Sequence, residues 1–206
     1  MKLYTFDAAP NAQRLGLFLQ YKGIELDTTQ IDMGTQEQLT DAYRAINPAC
    51  TVPALVLDDG TVLTEVIGQC TYLEELHPDK PLLGTTALEK AQIVSWDHKL
   101  LNMALSAVAE ILRNKSPGFV NRALPGPLDM PQIPELIDRG RTRLRYAWES
   151  LEAELEGREW LACDSISLAD LDLMICTQFS AWVKEAPPES CTNIHAHTAR
   201  VQAALS

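Results

Sequence analysis

The sequence predicts an α/β domain followed by an all-α helical bundle. Three features carry that prediction. Short strand-like runs alternate with helical periodicity through the first third of the chain. His77-Pro78-Asp79-Lys80-Pro81-Leu82-Leu83-Gly84 then sets two prolines within four residues, which halts any helix. Beyond that point the apolar residues keep a helical spacing only. Residues 1–78 are read as the first domain, 79–86 as a linker and 87–206 as the second domain.

Within the first domain, Lys2 to Phe6 reads as a strand. Asp7-Ala8-Ala9-Pro10 is a loop, and Asn11 opens a helix whose apolar face is Leu15, Phe18 and Leu19. Lys22-Gly23-Ile24 ends it on a glycine able to take the left-handed conformation. Glu25 to Met33 reads as a weakly alternating strand, and Gly34 to Ala45 as helical in part. Val52 to Leu57 and Thr61 to Leu63 are strands joined through Asp58-Asp59-Gly60, an Asp-Gly hairpin turn. Pro53 cannot donate to a ladder, so it takes a strand's first residue, an edge or a cis bend. Past Glu65 the period changes, with Val66, Cys70 and Leu73 on one helical face. This β-α-β-α-β-β-α order is that of a thioredoxin-like domain.

In the second domain, Ile93, Trp96, Leu100, Met103, Ala107 and Ile111 predict one helix from Leu88 to Lys115, stopped by Ser116-Pro117-Gly118. Pro125, Pro127, Pro131 and Pro134 mark an irregular segment. Leu144, Trp148, Leu151 and Leu155 define the next helix. Ser167-Leu168-Ala169-Asp170 is a capping box, flanked by Ile166 and Leu171 at the staple positions. The helix after it, Leu171 to Lys184, is apolar nearly all round and so predicted to be central and buried. Ile194 to Leu205 is a last short helix.

Composition excludes several function classes. The 206 residues carry 46% hydrophobic and 22% charged side chains, ordinary for a globular protein. A formal net charge of −11 argues against nucleic acid or an anionic membrane as partner. No apolar run approaches the roughly 18 residues of a membrane span, and Asp7 interrupts the stretch where a signal peptide needs its apolar core. The expected location is cytoplasmic. Five cysteines, with no C-x-x-C spacing, argue against a disulfide framework or a metal site.

One stretch suggests chemistry. Asn47 to Leu73 combines a loop, a proline-led hairpin and a helix whose N-terminus carries an acid, Glu65. Backbone groups before Pro53 can pair with an extended ligand as an added strand, and a helix N-terminus favours a carboxylate. Together they make a compact site for a small polar peptide.

Val52-Pro53 followed by Glu65 resembles the glutathione transferase superfamily. So does Asn11-Ala12-Gln13-Arg14-Leu15-Gly16-Leu17-Phe18-Leu19 with Lys22-Gly23-Ile24, which is similar to the first helix of the bacterial, cytosolic members. The buried Ser-Leu-Ala-Asp cap resembles the family's mark in its second domain, where it serves folding. An Asn in the first loop is similar to the Nu-type and yeast-like classes. The resemblance implies glutathione as co-substrate, a cis-proline, a homodimer and a detoxifying transferase acting on a hydrophobic electrophile.

Residue by residue, it implies that Thr51, Val52 and Pro53 present backbone to the cysteinyl part of glutathione. Glu65 would hold the γ-glutamyl end, and Gln38 would stand near the glycyl carboxylate. Val66 replaces the usual Ser, so the hydroxyl donor is gone while its backbone N–H remains. The thiol must be ionised to react, and the loop offers no Ser or Cys at Ala8 or Ala9. Asn11 is the preferred activating group: its amide donates to a thiolate, or else it serves only as a helix N-cap. Thr5 and Arg14 are weaker candidates, Arg14 either favouring an anion or facing solvent. Cys50 is disfavoured as a nucleophile. In the second domain, Asn114 and Ser116 are helix-end residues able to assist a thiol, and Trp182 lines either a pocket or the core. The alternative function is a transferase-like binding or regulatory protein with weakened or lost glutathione binding and catalysis; a glutathione-dependent lyase or isomerase is a weaker option.

Overall fold

The computed structural model describes residues Met1–Ser206 and divides into two compact units. Unit 1 comprises Met1–Lys80 with Leu124–Leu128, and unit 2 comprises Pro81–Ala123 with Asp129–Ser206.

Unit 1 is built on a mixed four-stranded sheet in the order β2-β1-β3-β4. β1 (Lys2–Thr5) pairs in parallel with β2 (Asp27–Gln30) and antiparallel with β3 (Ala54–Val56). β3 pairs antiparallel with β4 (Val62–Leu63) through the Asp-Gly turn, where Gly60 has φ +87°. β2 is shorter than the Glu25–Met33 run expected, because only one of its four residues is even half-buried and little packing holds its ends. α1 (Pro10–Lys22) buries Leu15 and Phe18, and Gly23 ends it at φ 69°. Pro10 is the first helical residue, one earlier than expected: its fixed φ and missing N–H suit that position. A short helix α2 (Asp41–Arg44) follows a 3-10 turn at Glu37–Leu39.

α3 (Val66–Leu76) packs beside α1. Lys22 joins them. Its side chain is 1% exposed, and its ammonium donates to Glu74 at 2.6 Å and to the carbonyls of Asp79 and Lys80 at 2.9 and 3.2 Å. Three donors meet three acceptors, so the buried charge is satisfied.

Unit 2 is helical. The expected Leu88–Lys115 helix is instead α4 (Ala87–Leu100), a π-helical turn at Leu101–Leu105 and α5 (Ser106–Lys115). The extra residue in that turn loosens the helical bonding. Side chains compensate: Ser106 Oγ donates to the Asn102 carbonyl at 2.6 Å, and Arg143 donates to the same carbonyl and to Ser106 Oγ. Arg143 belongs to α6 (Glu135–Glu154), which lies so close to α5 that a Cβ on Gly140 would sit 2.9 Å from the Ala107 carbonyl.

α7 (Leu168–Trp182) is the central helix, with eleven of its fifteen residues buried. Its cap is organised by Asp170, fully buried. One carboxylate oxygen accepts from the Ser167 N–H and hydroxyl, both at 2.8 Å. The other accepts from the Leu161 N–H at 2.8 Å and faces His197 Nε2 at 2.7 Å. His197 lies on α8 (Thr192–Ala204). Trp182, at the far end of α7, is 55% exposed and outside the core, touching Phe179 edge-on.

Removing a buried acceptor strands its donors. Asp170→Ala is therefore expected to cost about 3 kcal/mol or more, against about 1 kcal/mol for Ser167→Ala. Urea unfolding of the two variants compares them directly.

Candidate functional site

The predicted ligand residues converge because of the sheet's connectivity. In the register of β1 with β3, Tyr4 lies opposite Ala54, so the end of β1 and the loop before β3 meet at one end of the sheet. α1 starts from that end after β1, and α3 starts from it after β4. Val52, Ile31 and Tyr43 form a small core there, against which Tyr4, Phe6 and Ala9 pack. One end of the sheet thus gathers two helix N-termini and the Val52–Pro53 bond.

That bond is cis. The Val52 side chain is buried, yet neither its N–H nor its carbonyl is hydrogen-bonded within the chain. Adjacent backbone is held elsewhere. The Thr51 carbonyl accepts from Tyr43 Oη at 2.7 Å and Asn47 Nδ2 at 2.8 Å, and Asn47 Nδ2 also reaches Thr51 Oγ1 at 3.2 Å. Asn47 Oδ1 in turn accepts from the Ala49 N–H at 3.1 Å. On the other side, Gln69 Nε2 donates to the Pro53 carbonyl at 3.0 Å and the Leu63 carbonyl at 2.9 Å. Every neighbour of Val52 is fixed by side chains while Val52 itself keeps a free donor and acceptor.

Glu65 is the N-cap of α3 rather than a residue of its first turn, and its side chain makes no capping bond. It is exposed and has φ 61°, a conformation that costs a non-glycine residue on the order of 1–3 kcal/mol and concentrates at functional sites. Val66 is 3% exposed, so its side chain packs inward. The first helical bond of α3 runs from the Gln69 N–H to the Glu65 carbonyl, which leaves the Val66, Ile67 and Gly68 N–H groups as the helix's open donors.

Asn11 is the second residue of α1, not its N-cap; Ala9 holds the cap position without a side-chain bond. Its Oδ1 accepts from Arg14 Nη1 at 3.1 Å, so the amide's remaining polar end is the Nδ2 donor. Arg14 is 4% exposed and does not face solvent. Thr5 is buried, and its carbonyl accepts from the Ile31 N–H at 2.8 Å. Asp7 is engaged by Gln30 in two bonds, at 2.7 and 3.2 Å. Gln38 is buried in its 3-10 turn, with Oε1 lacking a partner; no hydrogen bond ties it to the other residues. Cys50 is buried at φ 55°, its thiol 3.6 Å from the Pro48 carbonyl.

The segment Leu124–Leu128 belongs to the same unit, and a Cβ on Gly126 (φ +98°) would lie 3.2 Å from the Ala49 carbonyl. In unit 2, Asn114 and Ser116 serve structure: Asn114 Oδ1 accepts from the Ile133 N–H at 2.8 Å, and the Ser116 carbonyl accepts from Gln132.

Asn47, Tyr43 and Gln69 brace this loop, and none of them is among the site residues that the sequence predicts. Asn-Pro marks a turn, which was a signal for Asn47; a tyrosine and a glutamine at helical positions offered none. Burial pushes the Tyr43 phenol up to about 12, above the ordinary value of about 10. Between those two values the unfolded chain loses this proton and the folded chain keeps it, so stability falls as pH rises from 10 to 12. We expect Tyr43→Phe to abolish that part of the decline, up to about 2–3 kcal/mol, in urea titrations across the range.

Comparison with known proteins adds an independent line. A family model for the glutathione S-transferase N-terminal domain matches residues 8–76, and one for the C-terminal domain matches residues 102–204. The chain is 28% identical over 205 residues to glutathione S-transferase 2 of Saccharomyces cerevisiae, covering 98% of this chain and 85% of that one. Among solved structures it is similar to Gtt2 from Saccharomyces cerevisiae (TM-score 0.88, 28% identity, 98% and 96% of the two chains covered). A glutathione S-transferase domain-containing protein of Marinobacter aquaeolei VT8 is similar over the full length of both chains (TM-score 0.90, 27% identity).

Proposed function

The chain belongs to the glutathione S-transferase superfamily, and from that premise we propose that it binds reduced glutathione at the Val52–Glu65 end of the unit 1 sheet and adds the thiolate to a hydrophobic electrophile. It is a glutathione transferase, with glutathione as co-substrate. The observation that supports the site most is the unsatisfied backbone of Val52 within a loop otherwise fully braced.

In this reading the cysteinyl backbone of glutathione completes the hydrogen bonds of Val52, pairing as a short antiparallel strand beside Thr51 and Pro53. The α-carboxylate of the γ-glutamyl end meets the open N–H groups of α3, beginning at Val66, where the dipole favours an anion. The Glu65 carboxylate takes the α-ammonium. Gln38 lies toward the glycyl end. The thiolate forms at the N-terminus of α1, where the dipole and the Asn11 Nδ2 donor both favour the charged sulfur over the neutral thiol. Arg14 fixes the Asn11 amide so that its donor end is the one on offer. With Asn11 bonded in this way, the missing Ser, Tyr or Cys in the first loop does not remove the means of activation. The cytoplasm as its location, a homodimer as its assembly and detoxification as its role complete the proposal.

Calorimetric titration with reduced glutathione tests it. Binding at about 1 mM or tighter, lost in Glu65→Ala with the variant still folded, supports the site. No heat at several millimolar glutathione would sink it in favour of a protein that keeps the fold and has lost the ligand. Asn11→Ala is expected to lower turnover by roughly tenfold or more with an aryl halide electrophile. Its pH–rate profile should also move to higher pH, because the thiol becomes harder to ionise.

A further inference from the structure

The ladder between β3 and β4 stops short at one end of the unit 1 sheet. Its last pair there is Leu55 with Leu63. Continued by two residues, the register would set Pro53 opposite Glu65. That rung cannot form in the usual way. Proline has no N–H to give, and Glu65 turns out of the strand at φ 61°. No main-chain hydrogen bond joins the two residues.

Gln69 fills the gap from α3. Its Nε2 donates to the Pro53 carbonyl at 3.0 Å and to the Leu63 carbonyl at 2.9 Å, and its own N–H donates to the Glu65 carbonyl at 3.1 Å. One residue thus holds both sides where the ladder lapses, Pro53 and Leu63 by its side chain and Glu65 by its main chain. Two carbonyls face the amide, so the end that points at them is the donor. The whole residue is buried, and its Oε1 has no partner within the chain. An unmet acceptor costs free energy that a leucine at this position would not incur. Packing alone therefore does not account for an amide here, and its two donated bonds do.

The residues so joined bear on the two anchors of the glutathione reading. Val52 directly precedes Pro53, and Glu65 is itself the second anchor. Their separation is fixed by no rung of the sheet, only by Gln69.

We propose that Gln69 is a positioning residue that sets the span between the Val52 backbone and Glu65, and so selects thiols whose γ-glutamyl arm reaches both. The inference rests on the glutathione reading given above. A ligand held at both points feels that span, and one held at Val52 alone does not. Gln69 touches neither the thiol nor the electrophile, so its loss acts on binding and not on the reaction of the bound thiolate.

Steady-state kinetics of the full chain with an aryl halide, in wild type and Gln69→Leu, test it. We expect the KM for glutathione to rise at least about tenfold, as the loss of two donated bonds implies. The kcat should stay within about twofold, the mark of an interaction that serves binding alone. S-methylglutathione and S-methyl-γ-glutamylcysteine, dead-end ligands that reach both anchors, should inhibit at least about tenfold more weakly in the variant. S-methylcysteinylglycine lacks the γ-glutamyl arm and should inhibit both proteins alike. Gln69→Asn, one methylene too short to span both carbonyls, should match Gln69→Leu and serves if the leucine variant does not fold. An unchanged KM in either folded variant, or equal weakening of all three inhibitors, would overturn the proposal and leave the glutathione reading standing. Failure of both variants to fold would make Gln69 a residue of the fold alone and overturn it as well. A wild-type chain that neither binds nor uses glutathione would overturn both.

Discussion

A loop that offers its backbone to a ligand cannot also satisfy that backbone internally, and unit 1 is shaped by this constraint. Val52 keeps a free N–H and carbonyl, while the residues on either side are tied down by side chains from three different elements. Tyr43 comes from α2, Asn47 from the turn after it, and Gln69 from α3. A buried backbone group without a partner costs free energy, and in this loop that cost falls on Val52. The small core of Ile31, Tyr43 and Val52 supports the loop from below. The positive φ of Glu65 fits the same pattern, since a strained residue persists only where its surroundings over-determine it.

Unit 2 solves the opposite problem. The Asp170 carboxylate is wholly enclosed, and everything around it supplies donors. Its four contacts join the start of α7 to the preceding loop and to α8. The cost of desolvating a carboxylate is offset only when its lone pairs are met. The π-helical turn between α4 and α5 shows the same economy, with Arg143 and Ser106 occupying the carbonyl of Asn102.

Much of this was legible in the residues. The Asp-Gly hairpin, the Val52-Pro53 pair, the glycine that ends α1 and the Ser167–Asp170 cap are local signals, each set by a few neighbouring residues and their dihedral preferences. The parts that were not legible depend on contacts between distant segments. Arg14 reads as a solvent-facing charge until Asn11 is seen to accept from it in a buried setting. Asn11 reads as a cap because Asn commonly is one, but Pro10 takes the first helical position ahead of it. The π-helical turn is hidden because one extra residue barely disturbs an apolar stripe that is already broad. Gln69 carries no local signal of its place, and only its two bonds to Pro53 and Leu63 show why an amide belongs there.

The tie between Asp170 and His197 also bears on how the chain is made. α7 is the hydrophobic centre of unit 2, yet the network that fixes its start is closed by a residue 27 positions later. During synthesis the ribosome exposes α7 before it releases α8. For that interval the helix has its apolar faces formed and its buried acid one contact short. Unit 1 has no such dependence on the chain's far end for its sheet, and domains fold as units from the N-terminus during synthesis. A nascent chain that exposes residue 182 but not yet residue 197 should accordingly lean more on chaperones than one that exposes both.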